Sequence, residues 1–292
     1  MKEKIEFRQV RDFEGIISGT LLFIKQNIKA LLKTFFLLCG FFILAGMISN
    51  VFMELHLIDA SRGYGSRYNS SVWAYMLGWR YLLVIVFSVL NYTAMSTSIL
   101  SFVALYIAKG NVAPTVEEVW SYFKYYFFRV MLSVILVYIM WVICTVLCLI
   151  PGVYVTPAFS ILLAVMILEN ADFSSSFSRA FALVKQNWWI TFATIVVVSI
   201  ITVVFMMVIY APTLILTMVS TFTQGDAKLL KSYQIFTAIS QSLSQVFMII
   251  PLISIAFIYY NLAERKESQG LMGRIEEFGN TQAPVSHPDE DY

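Results

Sequence analysis

Charge is what this chain has least of. Of its 292 residues only 13% are Asp, Glu, Lys or Arg, about half the share of a soluble domain. The 20 cations and 18 anions nearly cancel, leaving +2. So small a surplus does not suggest nucleic acid, and no nucleic-acid partner is expected. Histidine occurs only at His56 and His287, too few to build an imidazole metal centre, so neither metal nor cofactor is expected. The three cysteines, Cys39, Cys144 and Cys148, all fall in apolar runs and read as packing residues. Gly-rich phosphate loops, HExxH and GxSxG are missing. His56 lies near Glu54 and Asp59 but has no nucleophile beside it. No catalytic residue is assigned, and the chain is read as not an enzyme.

What is present is apolar: 59% of the residues are hydrophobic and 16% aromatic. Five stretches carry no charged residue, at 34–53, 81–108, 130–168, 186–225 and 232–263. About 20 apolar residues cross a bilayer as a helix, so 130–168 is long enough for two crossings, with Pro151 and Gly152 expected to supply the turn. The count is six spans. The first run lacks a small-residue cleavage site, so it is expected to stay in the mature chain.

An even number of spans returns the chain to its starting side, and the cations say which side that is. Fifteen of the twenty Lys and Arg residues fall in segments on the N-terminal side; only Arg62, Arg67, Arg80, Lys228 and Lys231 fall opposite. By the positive-inside rule both termini are expected in the cytoplasm of a bacterial inner membrane. The longest external segment, 54–80, carries Tyr64, Tyr68, Trp73, Tyr75 and Trp79, residues suited to an interfacial belt. Residues 1–274 form one membrane domain, and 275–292, polar and acidic, read as a disordered tail.

One short segment is written twice. At an offset of 160, Asp12, Phe13, Ser18, Lys25, Gln26 and Asn27 recur as Asp172, Phe173, Ser178, Lys185, Gln186 and Asn187. On a helix, Phe13, Ile16, Ile17, Leu21, Ile24 and Ile28 form one apolar stripe, and Phe173, Phe177, Phe181, Val184 and Trp188 form its counterpart. A weaker third copy places Val116, Trp120, Phe123 and Phe127 on the stripe and Lys124 at the lysine position. The expected fold is therefore an all-α polytopic bundle of three hairpin units, 12–109, 112–169 and 172–263. Each unit opens with an amphipathic helix lying in the cytoplasmic interface. Lys25, Lys124 and Lys185 are then candidate contacts to anionic lipid, with Asp12 and Asp172 as helix N-caps. Glu169 and Asp172 are candidate interfacial carboxylates.

The stretch from Pro151 to Phe192 combines a Pro-Gly turn, a span ending at Glu169, a Ser178 to Leu183 helix and the pair Trp188 and Trp189. Together with the closing YYNLAERKES at 259–268, it resembles the membrane domain attached to some bacterial glycerophosphoryl diester phosphodiesterases, and related standalone membrane proteins. The resemblance implies a six-helix bundle with a link to lipid. It does not imply phosphodiester hydrolysis, because the chain has no room for the soluble catalytic barrel.

Two polar clusters lie inside spans. Span two holds Asn91, Thr93, Ser96, Thr97, Ser98 and Ser101, and span six holds Ser240, Gln241, Ser242, Ser244 and Gln245. Such groups need partners in hydrocarbon, so Asn91, Thr93, Ser98, Gln241 and Gln245 either glue helices together or line a polar path. The first choice gives a subunit, scaffold or lipid-organising protein whose partners are membrane lipids and membrane proteins. The second gives a transporter or flippase-like carrier. Ion-coupled carriers commonly place a charged group within the membrane, and the spans offer none.

Overall fold

The computed structural model describes residues 5–63, 78–222 and 227–280. Tyr64, Tyr68, Trp73 and Tyr75 of the expected aromatic belt lie outside them, as does 281–292 of the expected tail. The helices are α1 (Phe13–Gly63), α2 (Trp79–Ala108), α3 (Val116–Leu147), α4 (Leu149–Leu168), α5 (Phe173–Val184), α6 (Trp188–Phe222), α7 (Ala227–Ser244) and α8 (Ile249–Asn280). A 3₁₀ turn at Gln245–Met248 separates the last two. No strand occurs among the described residues, and six stretches are long and apolar enough to cross a membrane. The chain is a multi-pass, all-α membrane protein.

The expected in-plane helices are the main departure. The first amphipathic copy does not stop before span one; it runs on as a single 51-residue helix. At 1.5 Å per residue this is about 76 Å long, more than twice the ~30 Å hydrocarbon core. The reason is local: after Asn27 come Ile28, Lys29, Ala30, Leu31, Leu32 and Lys33, with no Gly or Pro to stop a helix. The second unit behaves alike, since α3 runs unbroken from the amphipathic copy into span three. Its start is fixed by a capping box, in which Thr115 and Glu118 satisfy each other's backbone N–H groups. Only α5 is separate.

The buried face of α1 is also rotated from the expected stripe. Ile16, Thr20, Phe23, Leu31 and Thr34 are buried, whereas Phe13, Leu21 and Ile28 are exposed. In lipid an apolar side chain loses nothing by facing outward, so packing favours the surface that allows close approach. Gly19 lies on this face, where a Cβ would make ordinary contact with the Phe257 ring at 3.5 Å.

Two further boundaries differ. The break between α3 and α4 falls at Cys148, whose extended backbone separates the helices, rather than at Pro151–Gly152. Pro151 sits in the first turn of α4, where its missing N–H costs nothing. Gly152 is needed for a different reason: a Cβ would come within 3.0 Å of the Thr145 backbone. At the other end, residues 275–280, expected in the tail, belong to α8.

At the bundle centre lies α4, with Ile161 to Ile167 almost fully buried. The outer helices α3 and α6 show long apolar faces, among them Leu132, Val146, Val204 and Val208, as lipid contact requires. The N-terminal segment tucks back over one end of the bundle. Phe7 is 1% exposed, stacked on Phe257 at 4.1 Å and edge-on to Phe23 at 5.0 Å. A clasp holds it there: the Arg11 N–H donates to Asn261 Oδ1 at 2.9 Å, and Arg265 Nη2 donates to the Arg11 carbonyl at 3.0 Å.

Candidate functional site

The second Lys-Gln-Asn is where a site forms. After α5 the chain makes a short turn, and the Trp188 indole N–H donates to the Tyr154 carbonyl at 2.8 Å, with the two rings stacked at 5.7 Å. Phe177 and Phe181 meet Phe159. These contacts make α5 double back antiparallel along α4, and they carry Lys185 to the level of Tyr154. α5 is thus a separate helix packed on α4, with Arg179 3.6 Å from Glu267 of α8 and Asn187 in one small cavity with Asn261 and Arg265.

Between this turn and the first turn of α4 is an open groove of about 730 Å³ lined by residues 149, 150, 153, 154 and 185–190. Leu149, Ile150 and Val153 give one apolar wall, and Lys185, Gln186 and Asn187 give a polar rim. Lys185 and Gln186 are exposed. No carboxylate among the described residues lines the groove, so the lysine charge is open to an anion. The Asn187 main chain is spent locally, its carbonyl accepting the Thr191 N–H at 3.0 Å and the Thr191 hydroxyl at 2.9 Å. Trp189 stands 77% exposed beside it. A cation and amide at the rim of an apolar trough form the chemical complement of an anionic headgroup attached to hydrocarbon.

The other expected residues are dispersed. Lys25 and Lys124 are exposed on α1 and α3, with Lys124 Nζ 5.7 Å from the Trp120 ring, and neither borders the groove. Asp12 caps α1, accepting the Gly15 N–H at 2.8 Å. Asp172 precedes α5 and is bonded to the Ser175 hydroxyl, which holds its carboxyl below the usual range. Glu169 Oε1 accepts from Arg179 Nε at 3.1 Å and from the Tyr259 hydroxyl at 2.7 Å. That carboxylate is therefore tied to α5 and α8.

Of the membrane-embedded polar residues, Asn91 Nδ2 donates to Gln245 Oε1 at 2.6 Å, and the Cys39 thiol donates to Ser98 Oγ at 3.4 Å. Gln241 is exposed and joins neither contact. Thr93, with Thr97, Ser101 and Thr34, is buried with an unpartnered hydroxyl oxygen. No group of three or more His, Cys, Asp or Glu side chains suited to a metal occurs among the described residues.

No family model, curated protein or solved structure matches the chain. The resemblance to the phosphodiesterase-linked membrane domain therefore rests on the motifs at 151–192 and 259–268 alone. Sequence reasoning found Lys185 but missed the wall formed by Leu149 to Tyr154. The available signal was the tryptophan pair, because an indole N–H in an apolar setting must find an acceptor.

Proposed function

We propose that this protein is a non-enzymatic integral protein of a bacterial inner membrane that organises anionic lipid, as a scaffold or subunit of a larger membrane assembly. The cation excess on the N-terminal side supports cytoplasmic termini. One observation carries the lipid reading: the groove in which Lys185 and Gln186 rim the apolar Leu149, Ile150 and Val153, with no carboxylate among the described residues to compete for the charge. A phospholipid places its phosphate at Lys185 and its upper chain against α4. The resemblance to a lipid-linked membrane domain points the same way.

The test is lipid retention. Protein extracted in mild detergent is offered equal amounts of anionic and zwitterionic phospholipid with identical chains, and bound lipid is counted by native mass spectrometry. The wild type should retain the anionic lipid preferentially, and Lys185→Glu should lose that preference while Lys124→Glu keeps most of it. Equal retention of both lipids by the wild type would defeat the reading. A carrier is the second reading, favoured by the unpartnered hydroxyls of Thr93, Thr97 and Ser101 inside the bundle.

A further inference from the structure

A second cavity lies further along α4 and differs in chemistry. About 600 Å³ in volume, it is enclosed by α2, α3 and α4. On α2 it runs from Tyr81 to Tyr92, about 16 Å along the helix axis, so it is elongated parallel to the spans. Val134, Val137, Tyr138 and Trp141 of α3 form one side, and Thr156, Phe159, Ser160 and Leu163 of α4 the other. All three helices are candidate spans, and the lining residues Ile85 and Tyr138 are exposed. The mouth therefore opens onto lipid.

The polar atoms of the α3 and α4 walls decide what fits. Thr156 Oγ1 donates to the Gly152 carbonyl at 2.8 Å and accepts the Trp141 indole N–H at 3.2 Å. Ser160 Oγ donates to the Thr156 carbonyl at 2.8 Å. Both hydroxyl protons are committed within the protein, the remaining polar groups of the lining are the Tyr81, Ser88, Tyr92 and Tyr138 hydroxyls, and no charged side chain among the described residues lines the space. A charged headgroup would lose its hydration there with no counter-charge to compensate. A hydrocarbon chain loses nothing and gains contact with five aromatic rings. The volume falls within the roughly 300–1,000 Å³ of ordinary ligand cavities.

We propose that this cavity is a binding site for one acyl chain of a membrane phospholipid, held longer than the surrounding lipid exchanges. The site is separate from the Lys185 groove, and it stands or falls independently of the anionic preference proposed there.

Trp141 serves as the reporter. The full chain is reconstituted with phospholipid brominated at mid-chain, which quenches nearby indoles, and is then diluted into excess unbrominated lipid. Quenching at exposed Trp120, which borders neither lipid site, should be relieved at once. The part of the signal that disappears in Trp141→Phe should persist after dilution. Ser160→Phe, which fills the cavity, should abolish that persistence; if this variant fails to fold, Val137→Phe serves, and the wild-type comparison with Trp141→Phe needs no filled variant at all. Mass spectrometry of the retained material should show phospholipid. Recovery at Trp141 as fast as at the other indoles would mean annular lipid only and would overturn the proposal, as would retention of a free isoprenoid or fatty acid in place of phospholipid.

Discussion

The hydrogen bond from Asn91 to Gln245 ties α2 to the point where the sixth span breaks. Interhelical hydrogen bonds in membranes contribute about 0.6 to 2 kcal/mol, and Asn91→Leu also leaves the Gln245 amide without its partner. Thermal unfolding in detergent should therefore show Asn91→Leu destabilised, while Asn91→Leu with Gln245→Leu recovers part of the loss; a double variant worse than either single one would refute the pairing. Phe7 is a larger contributor. Cutting it to alanine empties a cage of Phe23, Tyr106, Phe257 and Tyr260, at a cost on the order of 3 kcal/mol, to be read as a lowered unfolding temperature. Asp172 adds a pH signature. Its carboxyl is held low by the Ser175 hydroxyl, so the stabilisation is complete above the ordinary value of 3.8 and is lost as pH falls through the depressed one. Asp172→Asn should therefore weaken the protein at neutral pH, with the difference from wild type vanishing in strong acid.

At the scale of elements, two copies of one tripeptide meet different fates. Asn27 sits inside α1 and donates back to the Phe23 carbonyl at 3.1 Å, whereas Asn187 precedes α6 and accepts from its first turn. Nothing within Lys-Gln-Asn distinguishes them. The neighbours on the C-terminal side do: a run of helix formers after the first copy, and two tryptophans after the second, one of which is pulled onto α4 by the Tyr154 carbonyl. Trp188→Ala should release that anchor, and loss of protection at the 185–187 amides in hydrogen exchange would show it. Spans were legible because hydrophobic length is a property of the chain alone. The helix joints and the groove were not, because they depend on contacts such as Trp188 with Tyr154, made between residues 34 positions apart. The apolar stripe misled at α1 for a related reason. Lipid rewards an outward apolar face as readily as a core does, so the period marked the helix while leaving open which side is buried.

For the whole molecule, six candidate crossings and an N-terminal charge bias predict a sidedness that labelling can test. With all three cysteines replaced, Arg80→Cys at the start of the helix Trp79–Ala108 should react with a membrane-impermeant thiol reagent applied from outside. Glu117→Cys, in the same background, should react only after permeabilisation. Labelling of both from one side would reject the arrangement.

The clasp between Arg11, Asn261 and Arg265 also constrains the order of assembly. Residues 5–11 leave the ribosome before the spans do, yet Phe257, Asn261 and Arg265, which help to hold them, belong to α8. Until that helix is inserted, Phe7 has no stacking partner and must wait at the membrane surface. Sealing of the bundle is therefore a late event, and a chain truncated before residue 252 is expected to leave its N-terminal segment open to protease while its earlier hairpins are already in the bilayer.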